Sequence, residues 1–384
     1  MTTRRLRISA GRHHRRHTPI VWSETNGAAL RQPMSLRGED GSTLPVQIRS
    51  DGRSTTFHAV LPELRAGATA TFELRADDSA PTPNAGVTVR EQPRGLDVSV
   101  DGELLTSYLS TGDGIVRPYC YPVFGPGGVM VTRRFPMERG VPGETADHPH
   151  HRSLYVAYGE ANDVDNWSEQ KEHGYTRHQG FGDVESGPVF GAFTAHGIWT
   201  DHAGAPLLQE RRTMTFYRQP DAGRAIDMTV VWTADRLPVT FGDTKEGGIL
   251  SIRVASSMDG KRGGVIENSY GGLGEAETWG RRAEWCDYSG DVDGRVVGIA
   301  AFDHPANFRA PTYWHVRDYG LMTTNVFGGE AFTSDPARNG RYTLETGKSL
   351  TFQYRLFIHA GNASQARIAD RYHDFINPPK VEPL

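Results

Sequence analysis

The segment Leu350-Thr351-Phe352-Gln353-Tyr354-Arg355-Leu356-Phe357-Ile358 indicates the fold class, because apolar and polar side chains alternate along it. Every second residue from position 352 to position 358 is large and apolar, and Thr351, Gln353 and Arg355 alternate with these residues. Successive side chains of a β-strand point to opposite faces of the sheet. The alternation therefore predicts a β-strand that buries one face.

Similar runs recur along most of the chain, and turn residues bound them. The clearest predicted strands are 18–22, 44–48, 55–60, 69–74, 87–90, 96–100, 103–108, 154–158, 191–199, 207–217, 225–232 and 239–242. Glycine and proline are plentiful, at 44 and 23 residues, whereas helical periodicity is scarce. Together these features predict an all-β fold, in which two long antiparallel sheets pack face to face as a large β-sandwich.

One helix is predicted after the last of these strands. Asn362 or Ser364 is a suitable N-cap, and apolar residues recur at positions 368, 372 and 375, as on one face of a helix. Pro378-Pro379 is expected to end the helix, since proline cannot continue the hydrogen-bond ladder.

The polar, proline-bearing stretch Ala76–Gly86 has no periodicity and is typical of a linker. It divides the 384 residues into a small accessory β domain at residues 1–80 and a β-sandwich domain at residues 87–384. The concentrations of reactive residue types all lie in the second part, so we expect the functional site there.

Composition excludes several classes of function. A net charge of −4 offers no basic surface for nucleic acid or anionic lipid, and no stretch approaches the ~20 apolar residues of a membrane span. Residues Met1–His17 lack the apolar core of a signal peptide, and Cys120 and Cys286 show no zinc-ligand spacing. Phosphate-binding loops, dinucleotide fingerprints and nucleophile elbows are also missing from the sequence. We therefore expect a cytoplasmic protein that binds neither membrane nor nucleic acid.

The densest cluster of reactive residues is Asp147-His148-Pro149-His150-His151-Arg152-Ser153-Leu154. Pro149 favours extended geometry at His148, and in a strand His148 and His150 would share one face while His151 takes the other. Two imidazoles on one face could hold one divalent metal with a further ligand. They could equally serve as general acid and base, because histidine titrates near neutral pH.

Residues upstream and in the middle of the chain add charged and phenolic groups. Arg117 and Tyr119 precede the histidine cluster, and Arg152 lies within it; arginine forks suit anionic oxygen, and tyrosine suits hydroxyl-rich ligands. Lys245 and Glu246, beside two glycines, form either an acid/base couple or a solvated turn.

Two later stretches combine aromatic, acidic and imidazole side chains. The first carries Trp285, Asp287 and Tyr288; the second, after His304, is Trp314–Gly320. In a strand, His315, Arg317 and Tyr319 would form one polar face, whereas Trp314 and Asp318 would lie on the other. Aromatic faces beside planar polar groups suit a pyranose, whose C–H faces stack on aromatic rings.

Six motifs together resemble a known family: Arg117-Pro118-Tyr119, Asp147–Leu154, Lys245-Glu246-Gly247, Trp285-Cys286-Asp287-Tyr288-Ser289-Gly290, Asp303-His304-Pro305 and Trp314-His315-Val316-Arg317-Asp318-Tyr319-Gly320. In the same order, over about residues 100 to 330, they are similar to the bacterial family labelled "methane oxygenase PmoA". That label describes a membrane protein, whereas this sequence has no apolar span. The resemblance implies a companion of sugar oxidoreductases with a small-molecule carbohydrate as substrate. By analogy, the fold implied is the galactose-mutarotase type of supersandwich.

The sequence therefore predicts an enzyme of carbohydrate catabolism that acts on a sugar or keto-sugar derivative by acid/base chemistry. Its expected catalytic residues are His148, His150, His151, Lys245, Glu246, Asp287 and His315, with His148 and His150 as candidate metal ligands. The expected substrate-binding residues are Arg117, Tyr119, Arg152, Trp285, Tyr288, His304, Trp314, Arg317, Asp318 and Tyr319. Two alternatives stay open, namely a metal-dependent oxygenase and a non-catalytic sugar-binding partner of an oxidoreductase.

Overall fold

The computed structural model describes residues 4–25, 33–50, 53–77, 84–219 and 223–384. Its first strands are β1 (Arg4–Ser9), β2 (Arg15–Thr25), β3 (Met34–Gly38), β4 (Thr43–Ser50), β5 (Ser54–Leu64) and β6 (Thr69–Ala76). The strands between residues 87 and 233 are β7 (Val87–Gln92), β8 (Gly95–Val100), β9 (Glu103–Leu109), β10 (Tyr119–Val123), β11 (Leu154–Tyr158), β12 (Tyr175–Glu185), β13 (Phe190–Thr200), β14 (Pro206–Tyr217) and β15 (Gly223–Thr233).

The remaining strands are β16 (Val239–Phe241), β17 (Gly247–Arg253), β18 (Val265–Asn268), β19 (Arg281–Arg282), β20 (Trp285–Val292), β21 (Arg295–Asp303), β22 (Tyr313–Arg317), β23 (Leu321–Asn325), β24 (Tyr342–Leu344), β25 (Ser349–Ala360) and β26 (Lys380–Pro383). The α-helices are short: α1 (Gly274–Thr278), α2 (Gly329–Thr333), α3 (Ala363–Ala366) and α4 (Ile368–Ile376). None of the helices in the described ranges is long and apolar enough to cross a membrane.

Two large antiparallel sheets form the sandwich, which confirms the predicted fold class. The nine-stranded sheet has the order β19-β22-β23-β17-β11-β10-β9-β8-β7, and the eight-stranded sheet has the order β12-β13-β14-β15-β25-β21-β20-β18. Their facing sides share one apolar core, in which the rings of Tyr108 and Phe193 lie 4.9 Å apart across the two sheets. Burial of such side chains contributes about 1.5–3 kcal/mol each, which explains why two long sheets are stable face to face.

Strand β25 shows how the alternating sequence produces this packing. It pairs with β15 and β21 in the middle of the eight-stranded sheet. Its side chains that point into the shared core are Phe352, Tyr354, Leu356 and Ile358. On the opposite face, Arg355 forms an ion pair with Asp227, and Phe357 packs beneath α4. The strand is thus covered on both faces near its end.

The predicted C-terminal helix is present, but it consists of two pieces. Asn362 caps α3 in a capping box with Gln365, as the sequence suggested. Arg367 then adopts a left-handed conformation with φ of 57°, which ends α3 and begins α4. The apolar residues of α4 cover the outer face of the eight-stranded sheet through Ile368 and Tyr372.

The strands before residue 77 form a separate sheet with its own apolar core. Its order is β2-β5-β4-β3-β6-β1-β26, so β26 completes this sheet rather than the sandwich. The buried ion pair between Arg15 and Asp374, at 3.1 Å, ties the sheet to α4. Residues 78–83 of the predicted linker lie outside the described residues, and the division into two domains stays a prediction.

Candidate functional site

A row of side chains crosses the outer face of the nine-stranded sheet. Strand register places His315 opposite Thr323, Thr323 opposite Ser251, Ser251 opposite Tyr155, and Tyr155 opposite Tyr119. Directly paired residues in antiparallel strands point to the same face. The face that turns away from the sandwich core therefore carries polar side chains from five neighbouring strands.

The histidine cluster lies over this face in a turn, not in a strand. The strand β11 begins at Leu154, as predicted, but the backbone before it is irregular, and the His151 N–H donates to the His148 carbonyl at 3.0 Å. His148 and Ser153 have positive φ angles, of 41° and 60°. The predicted extended geometry at His148 and the strand-like alternation of the three histidines are therefore wrong.

Two buried arginines hold this turn in place. Arg133 donates to the carbonyl oxygens of Asp147, His148 and His151, at 2.8, 2.9 and 3.3 Å. Arg133 and Arg253 both lie 2.8 Å from Oδ1 of Asp147, and that atom is also 3.1 Å from Nδ1 of His148. Burial raises the pKa of Asp147, but the His148 hydrogen bond and the two guanidinium groups outweigh it and hold the pKa well below its usual range.

The tautomer of His151 follows from its contact with Arg253. Nη1 of Arg253 lies 3.2 Å from Nδ1 of His151. A guanidinium group only donates hydrogen bonds, so Nδ1 of His151 accepts and the ring proton is on Nε2. Burial, followed by the neighbouring charges of His150 and Arg253, lowers the pKa of His151 well below its ordinary value. His151 is therefore a neutral imidazole with its donor at Nε2.

His315 has the opposite tautomer. Its Nδ1 lies 2.9 Å from the carbonyl oxygen of Lys245, which only accepts, so the ring proton is on Nδ1. Nε2 of His315 is buried and has no hydrogen-bond partner among the described residues. This nitrogen is therefore an unprotonated acceptor, as a general base requires.

Lys245 and Glu246 form an ion pair beside this imidazole. Burial raises the pKa of Glu246, but the Lys245 ammonium and the imidazoles of His315 and His150 lower it by more, so the net shift is downward. Glu246 is consequently a carboxylate at neutral pH. Both interpretations of this pair, an acid/base couple and a solvated turn, stay open.

Aromatic rings form two further walls. The ring of Tyr319 stacks on His148, with centroids 4.8 Å apart and planes 12° apart, and the Arg253 guanidinium lies 4.9 Å from the Tyr319 centroid. Across the site, Trp167 contacts His150 and His151 edge-on, at 5.8 and 5.3 Å. The indole N–H of Trp167 is buried and, within the described residues, has no acceptor.

These groups enclose a cavity of about 770 Å³, which is within the range of small-molecule sites. Its lining residues are His148, His150, His151, Gly159, Glu160, Asp163, Asp165, Trp167, Ser168, Gln170, Thr244, Lys245, Glu246, His315, Arg317 and Tyr319. Eight of the residues predicted from sequence thus meet in one cavity, drawn from three separate motifs. The face predicted for His315, Arg317 and Tyr319 is the one that lines it.

The carboxylates Glu160, Asp163 and Asp165, together with Trp167, line the cavity although we did not predict them as site residues. They lie on the loop between β11 and β12, whose density of acidic and aromatic residues around 162–167 was the available sequence signal. Arg133 and Arg253 were missed as well, because their role depends on contacts with a turn distant in sequence.

Three predicted substrate-binding residues support the cavity rather than line it. Arg117 is buried and donates to Glu169 at 2.8 Å and to the carbonyls of Asn166 and Trp167 at 2.9 and 3.2 Å. Arg152 pairs with the same Glu169 at 2.7 Å, and its guanidinium lies 5.9 Å from the ring centroid of Tyr119. Arg117 and Arg152 therefore hold the loop that carries Trp167, and Tyr119 packs beneath them.

Trp285, Asp287 and His304 lie away from the cavity. The first two belong to β20 of the eight-stranded sheet, on its outer face, where Trp285 packs with α4. Asp287 is buried, with one carboxylate oxygen 2.7 Å from Nε2 of His359. His304 contacts the ring of Phe375 at 5.2 Å. Their prediction as site residues is corrected, because the other sheet and its covering helix hold them.

Tyr288, Trp314 and Asp318 lie near the cavity but behind its wall. The hydroxyl of Tyr288 donates to the Asp318 carbonyl at 3.1 Å, and the indole of Trp314 donates to the Ala283 carbonyl at 2.9 Å within the sandwich core. Asp318 accepts from the Glu275 N–H at 3.3 Å. These three residues stabilise the strand and turn that present His315, Arg317 and Tyr319.

The predicted metal ligands His148 and His150 have ring centroids 5.7 Å apart and planes 74° apart. No group of three or more His, Cys, Asp or Glu side chains in the described part of the chain has an arrangement that could hold a metal ion.

The imidazoles of His150 and His315 are expected to titrate far below neutral pH. Burial, with the nearby charges of Arg117 for His150 and of Lys245 for His315, lowers both pKa values to about 4. Nitrogen-detected NMR of the native protein should show these two rings protonating near pH 4, whereas in the urea-unfolded chain all histidines titrate near ~6.5. Titration of the native rings near 6.5 would contradict the neutral assignments.

The same pKa shifts determine how the stability of the protein changes with pH. Below pH ~6.5 the unfolded chain binds protons at these histidines, and the native state does so only near their folded pKa values of about 4. The stability contributed by neutral burial is therefore complete above pH ~6.5 and is lost as the pH falls through about 4.

Comparison with known proteins relates this chain to a single family. No curated protein matches it significantly in sequence. A family model does match, over residues 95–373, a range that contains the whole cavity lining and excludes strands β1–β7. The chain belongs to DUF6807, a family of unknown function.

Proposed function

We propose that this protein is a carbohydrate-active enzyme that acts on a sugar or keto-sugar derivative by acid/base chemistry in the cavity on the nine-stranded sheet. The observation that carries the proposal is the pair of neutral imidazoles with opposite tautomers, His315 and His151, in one cavity. Nε2 of His315 can accept a hydrogen bond and Nε2 of His151 can donate one, which are the roles of a general base and of a hydrogen-bond donor to a developing negative charge.

In this proposal His315 is the general base. Its Nε2 has no hydrogen-bond partner among the described residues. Its Nδ1–H donates to the Lys245 carbonyl, and this hydrogen bond fixes the ring orientation. It would accept a proton from a substrate hydroxyl or from a carbon beside a carbonyl group. The Glu246 carboxylate next to it would stabilise the imidazolium that results.

His151 supplies the complementary group. Its Nε2–H would donate to a substrate oxygen on which negative charge develops, and Arg253 prevents His151 from becoming the base by occupying Nδ1. His150, whose ring centroid lies 4.3 Å from that of His151 and 5.8 Å from that of Trp167, would contact the same ligand.

The chemistry of the walls favours a sugar. The lining includes the flat ring of Tyr319, and its carboxylates and the Trp167 indole can form hydrogen bonds with a ligand. Aromatic surface combined with planar polar groups is suited to the C–H faces and hydroxyls of a pyranose. The protein would act in the cytoplasm, with a sugar oxidoreductase as the expected source of the keto-sugar.

A turnover screen tests the proposal. Purified protein is incubated with 3-keto-glucosides, glucosides and free keto-sugars, and products are followed by NMR. Turnover is expected for the wild type, at a rate reduced by two or more orders of magnitude in His150→Ala, with the fold unchanged by circular dichroism. His202→Ala, an exposed histidine in the turn after β13, is the matched control. Equal rates for His150→Ala and the wild type would remove the histidine cluster from the mechanism.

A further inference from the structure

The two cations that line the cavity, Lys245 and Arg317, are each paired with a carboxylate. Lys245 pairs with Glu246, and Arg317 pairs with Glu275, its Nε lying 2.9 Å from Oε1. Behind the lining, Arg133 and Arg253 share Asp147, and Arg117 and Arg152 share Glu169; none of these four arginines lines the cavity. An anionic substituent on a ligand would therefore have to break an existing ion pair to obtain a counter-charge.

Three carboxylates also line the cavity. Glu160, Asp163 and Asp165 line it, and none of them forms an ion pair with a lysine or arginine of the described residues. Burial and the charges of Asp163, Asp243 and Asp165 raise the pKa of Glu160. Asp165 uses Oδ1 to accept from the backbone N–H groups of Trp167 and Ser168, at 2.7 and 2.9 Å.

Two lining residues, Trp167 and His315, each have a buried polar atom without a hydrogen-bond partner among the described residues. The indole N–H of Trp167, whose side chain is 1% exposed, requires an acceptor, and Nε2 of His315, 2% exposed, requires a donor. A buried polar group without a partner costs free energy, so a bound molecule that satisfies both atoms is stabilised. The ligand must present both hydrogen-bond donors and acceptors at close spacing.

We propose that the cavity is selective for an uncharged, polyhydroxylated ligand, a neutral sugar unit, and discriminates against phosphorylated and carboxylated sugars. This inference rests on the proposed function and specifies its substrate class. Hydroxyl groups donate to the carboxylates of Glu160 and Asp163 and to Nε2 of His315, and a hydroxyl or carbonyl oxygen accepts from Trp167. Phosphate or carboxylate groups would meet these carboxylates, and the lining cations Lys245 and Arg317 are already paired; Arg341, which lowers the pKa of Glu160, is not among the lining residues.

Direct binding measurements test the selectivity. Titration calorimetry and saturation-transfer NMR are carried out with a panel of neutral hexoses and keto-hexosides and with the matching 6-phosphates and uronates. At least one neutral member is expected to bind at least tenfold more tightly than its charged counterparts. Its affinity should change little between 50 and 300 mM salt, since no net charge is neutralised on binding.

Equal or tighter binding of a 6-phosphate or a uronate would overturn the inference, and so would the absence of binding by every neutral member. The proposed function fails in a different way. Binding of a neutral sugar without turnover of any compound supports the substrate class and contradicts the enzyme. Turnover of a phosphorylated sugar supports the enzyme and contradicts the substrate class.

A variant links the discrimination to the carboxylates that line the cavity. Glu160→Gln combined with Asp163→Asn keeps the hydrogen-bonding shape while removing two negative charges, and asparagine tolerates the positive φ of 62° at position 163. The ratio of neutral to phosphorylated affinity is expected to fall by about tenfold. Asp293→Asn, an exposed turn residue that does not line the cavity, is the matched control and should leave the ratio unchanged. An unchanged ratio in the double variant would refute the electrostatic basis of the selectivity.

Discussion

Replacing His315 by glutamine is expected to lower kcat/KM by about two to four orders of magnitude, the range in which a positioned general base contributes. The amide of glutamine can still donate towards the Lys245 carbonyl, but it cannot accept a proton at neutral pH. The structure offers no other unpartnered buried imidazole nitrogen that lines the cavity, within the described residues. Steady-state kinetics on the best substrate of the turnover screen measures the effect.

The shape of the pH profile distinguishes a base from a structural role. Since the pKa of His315 is lowered to about 4, kcat/KM of the wild type should stay constant from pH 8 down to about 5 and fall below that. The residual activity of His315→Gln should have lost this acidic limb. His202→Gln is the matched control, because that side chain is exposed and lies outside the cavity. A variant that keeps wild-type activity, or keeps the limb, would exclude His315 as the base.

Replacing Glu210 by alanine is expected to destabilise the protein by about 3–5 kcal/mol, the cost of breaking a buried ion pair on one side. The Glu210 carboxylate accepts from Nε of Arg212 and from the indole nitrogens of Trp199 and Trp232, at 3.0, 3.0 and 3.1 Å. All four side chains are buried between the two sheets. Alanine would leave one guanidinium charge and two indole N–H groups in the core without their acceptor.

The midpoint of urea unfolding, followed by tryptophan fluorescence, measures this loss. Glu210→Gln retains an acceptor for the indole groups but not the charge, so its midpoint should lie between those of the wild type and Glu210→Ala. Glu345→Ala, at an exposed position, should unfold like the wild type. An alanine variant at position 210 as stable as Glu345→Ala would show that the buried network is energetically dispensable.

Alternation along single strands was the most informative part of the sequence. It predicted β25, β13, β14 and β15, although not β12 or β21, and it separated His315 and Arg317 from Trp314 within β22. Side-chain direction in a strand is a local property, because it follows from backbone geometry alone. The antiparallel sandwich follows from many such strands with short connections.

Contacts between distant segments could not be predicted in this way. The turn at His148 departs from the extended geometry that Pro149 favours, because Arg133 gathers three carbonyl groups of the turn. Asp287 has the composition of a site residue, yet its strand lies in the other sheet, where His359 is its partner. The sequence did not predict that Glu210 is buried and structurally important, because its role depends on tryptophans from two neighbouring strands.

The pairing of β1 with β26 has a consequence for the order of folding. On a ribosome, β1 emerges before the sandwich is made, while the strand that covers its free edge emerges after it. Until then the edge of β1 exposes unpaired backbone donors and acceptors, which can recruit a strand from another chain. One edge of the N-terminal sheet therefore stays open until the last residues of the chain are made, and the pairing of β26 with β1 closes it.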